Sequence, residues 1–152
     1  MAEERKNILG SVTIIPEIIE DVEKNVKNIA KFGEKIEEYV TQNITNLLDV
    51  ILLSAINLEV SDIHIEPEEE QVKLRVRFDG ILQDVLLLSK EIYGSLLSRI
   101  KLLSGIKFNV TDRPQDGRFS IITGILAIEI RVSSLPTESG ETVVLRILNP
   151  KS

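Results

Sequence analysis

From Ile15 to Val40, apolar residues recur at positions 15, 19, 22, 26, 29, 36 and 40, an alternation of four and three interrupted at Gly33. That spacing predicts an amphipathic helix, Pro16 to Val40, with a narrow apolar seam, a wet side of Glu, Lys, Asp and Asn, and a weak point or bend at Gly33. The seam suits packing within the chain, with a contact to another chain as the alternative, because fewer than four clean heptads do not establish a coiled coil. A second helix, about Asn46 to Leu58, is apolar around most of its circumference and is expected to be buried.

The period then changes to two. Ile63 and Ile65 fall on one face of a strand and Asp62, His64 and Glu66 on the other, ending at Pro67. Val72, Leu74, Val76 and Phe78 repeat the inward pattern, with Lys73, Arg75 and Arg77 outward, and Asp79-Gly80 supplies a hairpin turn into Ile81–Leu87. Ser89 is a candidate N-cap for a helix through Leu103 that stops at Gly105. After a polar loop, Thr111 to Arg118, a hairpin is expected from Phe119–Ile122, a turn at Thr123-Gly124 and Ile125–Ser133. A connection over Leu135–Glu141 then leads to a last strand, Thr142–Leu148. Strands joined mainly by short turns, with a few helices between them, predict an α+β fold: an antiparallel sheet with helices on one face, preceded by an N-terminal amphipathic helix. We divide the chain into a helical extension or linker, residues 1–44, and a domain, residues 45–150.

Composition narrows the chemistry. A chain of 152 residues suits one core plus an appendage, and 43% hydrophobic against 28% charged residues is the balance of a folded protein rather than a disordered one. No apolar run approaches the roughly 20 residues of a spanning helix, and the charged start Met1 to Lys6 leads into no signal-peptide core, so a cytoplasmic protein is expected. The absence of cysteine removes disulfides, thiolate metal sites and cysteine nucleophiles, and the single His64 leaves few routes to a zinc site or a histidine base. A net charge of −6 argues against phosphate-backbone binding, so nucleic acid is not an expected partner.

Three segments carry a resemblance: Ser61-Asp62-Ile63-His64-Ile65-Glu66-Pro67, then Arg113-Pro114-Gln115-Asp116-Gly117-Arg118, then Leu135 to Leu148 with its Thr-Glu-Ser-Gly-Glu and Val-Val-Leu-Arg-Ile-Leu runs. With Val76-Arg77-Phe78-Asp79-Gly80 and Ser98-Arg99-Ile100-Lys101 between them, this ordered set resembles the ATPase family that powers type II secretion and type IV pilus assembly, over roughly residues 45 to 150. The resemblance implies a PAS-like domain linked to a RecA-like motor, six of which form a ring. The motor's phosphate loop, a Gly-rich turn followed by Lys and Ser or Thr, has no counterpart here. By itself the chain is therefore expected not to hydrolyse ATP, with no cofactor of its own, ATP and magnesium belonging to the motor. Because it ends at Asn149-Pro150-Lys151-Ser152, about where the family continues toward that motor, we read it as an excised or truncated piece.

The resemblance also implies that Arg131 and Arg146 face the nucleotide held by the motor, in the same chain or from a neighbouring subunit. A guanidinium suits that role, being always charged and presenting a planar fork of donors to phosphate oxygens. The bland alternative is a pair of sheet-surface or ion-pair arginines. The alternation of strand residues puts Arg131 on the open face, and Arg146 shares a face with Val144 and Leu148. Arg113 and Arg118 flank Pro-Gln-Asp-Gly and are possible phosphate or interface contacts, though a structural turn is favoured, with Gly117 supplying an unusual backbone conformation and Asp116 bonding its own turn. Asp62, His64 and Glu66 share a strand face but curve too little to surround a metal, and hydrogen bonding across a domain or subunit contact is expected instead. In longer relatives an N-terminal domain docks to inner-membrane components, which makes platform proteins possible partners of the N-terminal helix and the assembled machine peripheral to that membrane. The functional alternatives are a PAS-like ligand-sensing module, for example for cyclic di-GMP, and an enzyme in its own right.

Overall fold

A computed structural model describes residues 10–148; the charged start and the segment from Asn149 lie outside that range. Among the described residues, four α-helices, α1 (Pro16–Asn25), α2 (Ile29–Gln42), α3 (Leu47–Asn57) and α4 (Lys90–Ser104), and a short 3-10 helix, Ile44–Asn46, accompany seven strands: β1 (Ser11–Thr13), β2 (Asp62–Pro67), β3 (Val72–Phe78), β4 (Ile81–Leu88), β5 (Gln115–Thr123), β6 (Leu126–Thr137) and β7 (Gly140–Leu148).

The helix expected from Pro16 to Val40 is two helices. Pro16 opens α1, where its missing N–H costs nothing, but Val26 is extended (φ −100°, ψ 92°) and ends it. Asn28 then caps α2, its side-chain oxygen accepting from the Lys31 N–H at 2.8 Å. The interruption resets the helical phase, so the buried seam is Ile18, Val22, Val26, Phe32, Ile36 and Tyr39, while Ile15 is 45% exposed. Gly33 lies within α2 without interrupting it. It marks a close approach to β4, where a Cβ would meet the Val85 carbonyl oxygen at 3.0 Å. Val85 is the extra residue of a β-bulge, since Leu74 pairs with Leu86 and Arg75 with Asp84.

The apolar circumference of the second expected helix has the consequence anticipated for it: every residue of α3 from Leu47 to Ala55 is buried, with α1 and α2 packed against it. Ile18, Val22, Phe32 and Ile36 of α1 and α2 join one apolar cluster with Ile63, Leu74, Ile100 and Leu145.

The sheet runs β1-β5-β6-β7-β2-β3-β4 and is antiparallel except where β1 pairs in parallel with β5. The α+β architecture read from the sequence holds. Asp79 and Gly80 form the two-residue β3–β4 turn at φ 53° and 78°, and α4 is capped by Ser89 Oγ accepting from Ile92 N and closed by left-handed Gly105. Two boundaries move. The β5–β6 turn is Gly124-Ile125, one residue later than expected. Leu135 to Glu141, read as a connection, is paired strand except for its tip, with Leu135 opposite Thr142 and Thr137 opposite Gly140, because the long β6–β7 ladder outweighs the turn-forming character of Pro136 and Gly140. One face of the sheet, carrying Ile63, Val76, Ile130, Val132 and Leu145, is buried; the opposite face is open over β5, β6 and β7.

Candidate functional site

The register of five strands sets one residue from each in a line on the open face. Arg118 of β5 is opposite Arg131 of β6, Arg131 opposite Arg146 of β7, Arg146 opposite Asp62 of β2, and Asp62 opposite Arg77 of β3. Each flanks inward-facing core residues, such as Phe119, Ile130, Ile147 and Ile63, so the alternation of the strands fixes which way it points. Four arginines and one carboxylate thus form a cationic row on a chain whose net charge is −6. The row borders a shallow hollow of about 400 Å³ lined by Asp116, Arg131, Ser133, Val144 and Arg146.

Arg131 and Arg146 are tethered alike. The Nε of Arg131 donates to Glu129 Oε2 at 3.0 Å and that of Arg146 donates to Asp62 Oδ1 at 2.9 Å. Their side chains are 63% and 64% exposed, whereas the Asp62 side chain is 6% exposed and also meets Arg77 Nε through Oδ2 at 3.4 Å. The hydrogen bond and charge of Asp62 hold the Arg146 pKa above its ordinary value. Both side chains bond through Nε and are largely exposed, and among the described residues their terminal N–H groups, the fork that can match two oxygens of a phosphate or carboxylate, have no hydrogen-bond partner. The expectation that Arg131 lies on the open face is met, and Arg146 is as exposed as Arg131.

Within the chain, Asp62 and Glu66 pair with arginines of the same sheet, and His64 Nδ1 lies 3.8 Å from Glu66 Oε2. Antiparallel pairing of β2 with β3 and β7 brings Arg77 and Arg146 to Asp62, and sets Arg75 diagonally across from Glu66, which accepts from its Nε and Nη2 at 3.1 and 2.9 Å. Among the described residues no cluster of His, Asp and Glu could hold a metal ion. Burial lowers the His64 pKa below its ordinary 6.5, outweighing Glu66 and Asp62, and its Nε2 is buried with no hydrogen-bond partner among the described residues. The imidazole is therefore neutral at pH 7.

Arg113 and Arg118 are not neighbours in one turn. Arg113 is exposed and pairs with Asp112 at 3.2 Å, while Gln115 begins β5 and carries Arg118 onto the open face. Gln115 organises the preceding loop, accepting from Lys107 N and donating to the Lys107 and Val110 carbonyls. Asp116 accepts from Ser133 Oγ at 2.9 Å rather than bonding its own turn. Gly117 has no positive φ; it is required because a Cβ there would overlap the Ser104 carbonyl oxygen of α4.

Other motif residues serve the fold. Lys101 Nζ, 4% exposed in its side chain, bonds Glu141 Oε1 at 2.6 Å, and Tyr93 OH donates to the Glu141 carbonyl, tying α4 to the β6–β7 hairpin. Arg99 Nη2 reaches buried Asp49 at 3.3 Å, joining α4 to α3. Sequence reasoning missed the roles of Asp62, Glu129 and Arg77 because their significance depends on register; the strand parity of Asp62 and Arg77 was the available signal.

An α+β domain that carries a row of arginines on an open sheet face, and whose paired motif residues brace its helices, is the class of protein these features define. The chain belongs to the type II/IV secretion system protein family, whose profile matches residues 37–152. It is 39% identical over 109 residues to the type II secretion system protein E of Klebsiella pneumoniae, covering 72% of this chain and 22% of that protein. It is 40% identical over 106 residues to the type II secretion system ATPase E of Vibrio cholerae, covering 70% and 21%. A putative type II secretion system protein E of Escherichia coli is 34% identical over 142 residues, covering 90% and 29%. The chain thus spans between a fifth and three-tenths of the length of these relatives. Among solved structures, the pilus retraction motor PilT with bound ADP aligns at a TM-score of 0.45 and 21% identity over 66% of this chain and 28% of that one, a likeness too slight to bear on function.

Proposed function

We propose that this chain is a non-catalytic regulatory and assembly domain of a hexameric ATPase that powers type II secretion or type IV pilus assembly. It packs on RecA-like motor domains of its own and neighbouring subunits and offers Arg131 and Arg146 to the phosphates of ATP held with magnesium by the motor. The domain works at the cytoplasmic side of the inner membrane, and its N-terminal helices are a candidate contact for membrane platform proteins. Among the described residues no helix is long and apolar enough to cross a membrane. The observation that carries the proposal is the pair of exposed guanidiniums bonded through Nε, an arrangement that leaves their terminal N–H groups available for bidentate phosphate contact. Arg118 extends the row and supplies a secondary contact. Arginines supplied from outside a phosphate-binding unit stabilise charge on the transferring phosphoryl group and report whether nucleotide is present. No hydrolytic machinery is assigned to the chain itself.

The test is steady-state turnover in a protein carrying both this domain and its motor. Arg131→Ala and Arg146→Ala are each expected to lower kcat/KM for ATP by on the order of 10- to 100-fold, as loss of a charged donor to a developing phosphoryl charge does. Unchanged turnover in the double variant would leave the arginines as surface residues. ATP hydrolysis by the purified 152-residue chain would contradict the non-catalytic assignment.

A further inference from the structure

We infer that Asp62 is the positioning residue for Arg146: its buried carboxylate fixes the guanidinium by Nε and so presents the terminal N–H edge to an incoming phosphate. The inference deepens the function proposed above and rests on it only for the identity of the anion.

Asp62 is 4% exposed although it stands on the open sheet face, because Arg146 and Arg77 flank it from the neighbouring strands. Its two oxygens are divided between them, Oδ1 to Arg146 Nε at 2.9 Å and Oδ2 to Arg77 Nε at 3.4 Å. Arg77 is itself anchored, its Nη1 donating to the Gly80 carbonyl at 3.1 Å in the β3–β4 turn. The carboxylate therefore has one arginine held by the hairpin and one directed to solvent. A free arginine side chain samples many rotamers, and ordering it at the moment of binding opposes affinity; prior attachment at Nε removes much of that cost while leaving the fork unoccupied. Glu129 holds Arg131 similarly, but with a side chain 34% exposed, so its hold is weakened more by water and salt. The carboxyl group of Asp62 is thus the firmer of the two supports.

The sign of one substitution separates positioning from bulk charge. Removing a carboxylate beside a cationic row makes the field more positive, which on charge alone tightens anion binding; loss of positioning loosens it. The 152-residue chain, labelled with ¹⁵N, is titrated with inorganic tripolyphosphate while the Arg146 Nε–Hε resonance is followed for chemical shift and solvent exchange. In Asp62→Ala, Nε–Hε protection is expected to be lost and the apparent Kd to rise about tenfold, the equivalent of one charge-assisted hydrogen bond. Asp62→Asn retains shape and one acceptor oxygen, so it keeps the fold if the alanine variant does not, and is expected to show the same direction with a smaller change. Lys31→Ala, which removes an exposed cation of α2 outside the row, is the control and should leave Arg146 Nε unaltered. Unchanged Nε exchange in Asp62→Asn, or tighter tripolyphosphate binding with the fold intact, would overturn the inference. If the Nε signal responds to Asp62→Asn but tripolyphosphate perturbs neither Arg131 nor Arg146 in the unaltered chain, the tether stands and the phosphate reading falls. If Arg146→Ala abolishes tripolyphosphate binding but Asp62→Asn leaves it untouched, the phosphate reading stands and the positioning role falls.

Discussion

Arg118, Arg131 and Arg146 occupy directly opposed positions on three neighbouring strands, where like charges repel. Glu129 and Asp62 offset this at the second and third positions; among the described residues Arg118 has no acidic partner. Removing Arg118 is therefore expected to stabilise the isolated chain, against the usual trend of substitutions. Arg118→Ala should gain about 0.3 kcal/mol at low ionic strength, with the gain disappearing near 1 M salt as screening removes the repulsion, measured by urea unfolding. Arg131 was legible as an open-face residue from alternation alone, since Ile128, Ile130 and Val132 claim the core face. The partnership of Arg146 with Asp62 was not legible, because the two are 84 positions apart and no local pattern encodes which strands become neighbours.

Among elements, glycine has opposite consequences in two places. Gly117 lies in β5 with its α-carbon against the Ser104 carbonyl of α4, so Gly117→Ala forces a backbone displacement and should destabilise by about 3 kcal/mol. Gly94 lies exposed in α4 with nothing near its would-be Cβ, so Gly94→Ala should stabilise by roughly 0.5–1 kcal/mol through helix propensity. Thermal unfolding of the two variants checks both signs. The caps and turns were readable because their chemistry is local: Ser89 and Gly105 bound α4, and Asp79-Gly80 makes its turn. The break between α1 and α2 was not read, although Asn28 is a good N-cap residue, because the apolar spacing continues across it in a false phase. Gly117 was assigned to a turn because a close approach to another element leaves the same mark in a sequence as an unusual backbone angle.

At the scale of the whole molecule, α1 and α2 are clasped by Asp21, which accepts from Lys35 Nζ at 2.9 Å and Tyr39 OH at 2.8 Å. Burial alone would raise the Asp21 pKa, but hydrogen bonds from Lys35, Asn25 and Tyr39 outweigh it and hold it below 3.8; burial likewise opposes, and Asp21 and Glu38 outweigh, a Lys35 pKa held above 10.5. The depressed carboxylate contributes stability that is complete above pH 3.8 and is lost as pH falls through its lowered value. The raised amine contributes stability that is complete below pH 10.5 and is lost as pH rises through its raised value. Tyr39, raised above its ordinary 10.0 by burial and then by its bond to Asp21, sets the upper limit, so the stability difference between the unaltered chain and Asp21→Asn should be level, at about 1 kcal/mol, between pH 3.8 and pH 10.0 and shrink beyond each. Denaturant titrations across pH provide the measurement. The clasp joins α1 and α2, which pack against α3 while α2 also meets β4, and the side chains of Arg131 and Arg146 stay exposed. The most direct test of the proposed role is the structure of a protein carrying both this domain and its proposed motor, with a non-hydrolysable ATP analogue. Guanidinium nitrogens of Arg131 and Arg146 are expected about 3 Å from phosphate oxygens; nucleotide held in the motor with both arginines facing solvent would contradict the proposed role.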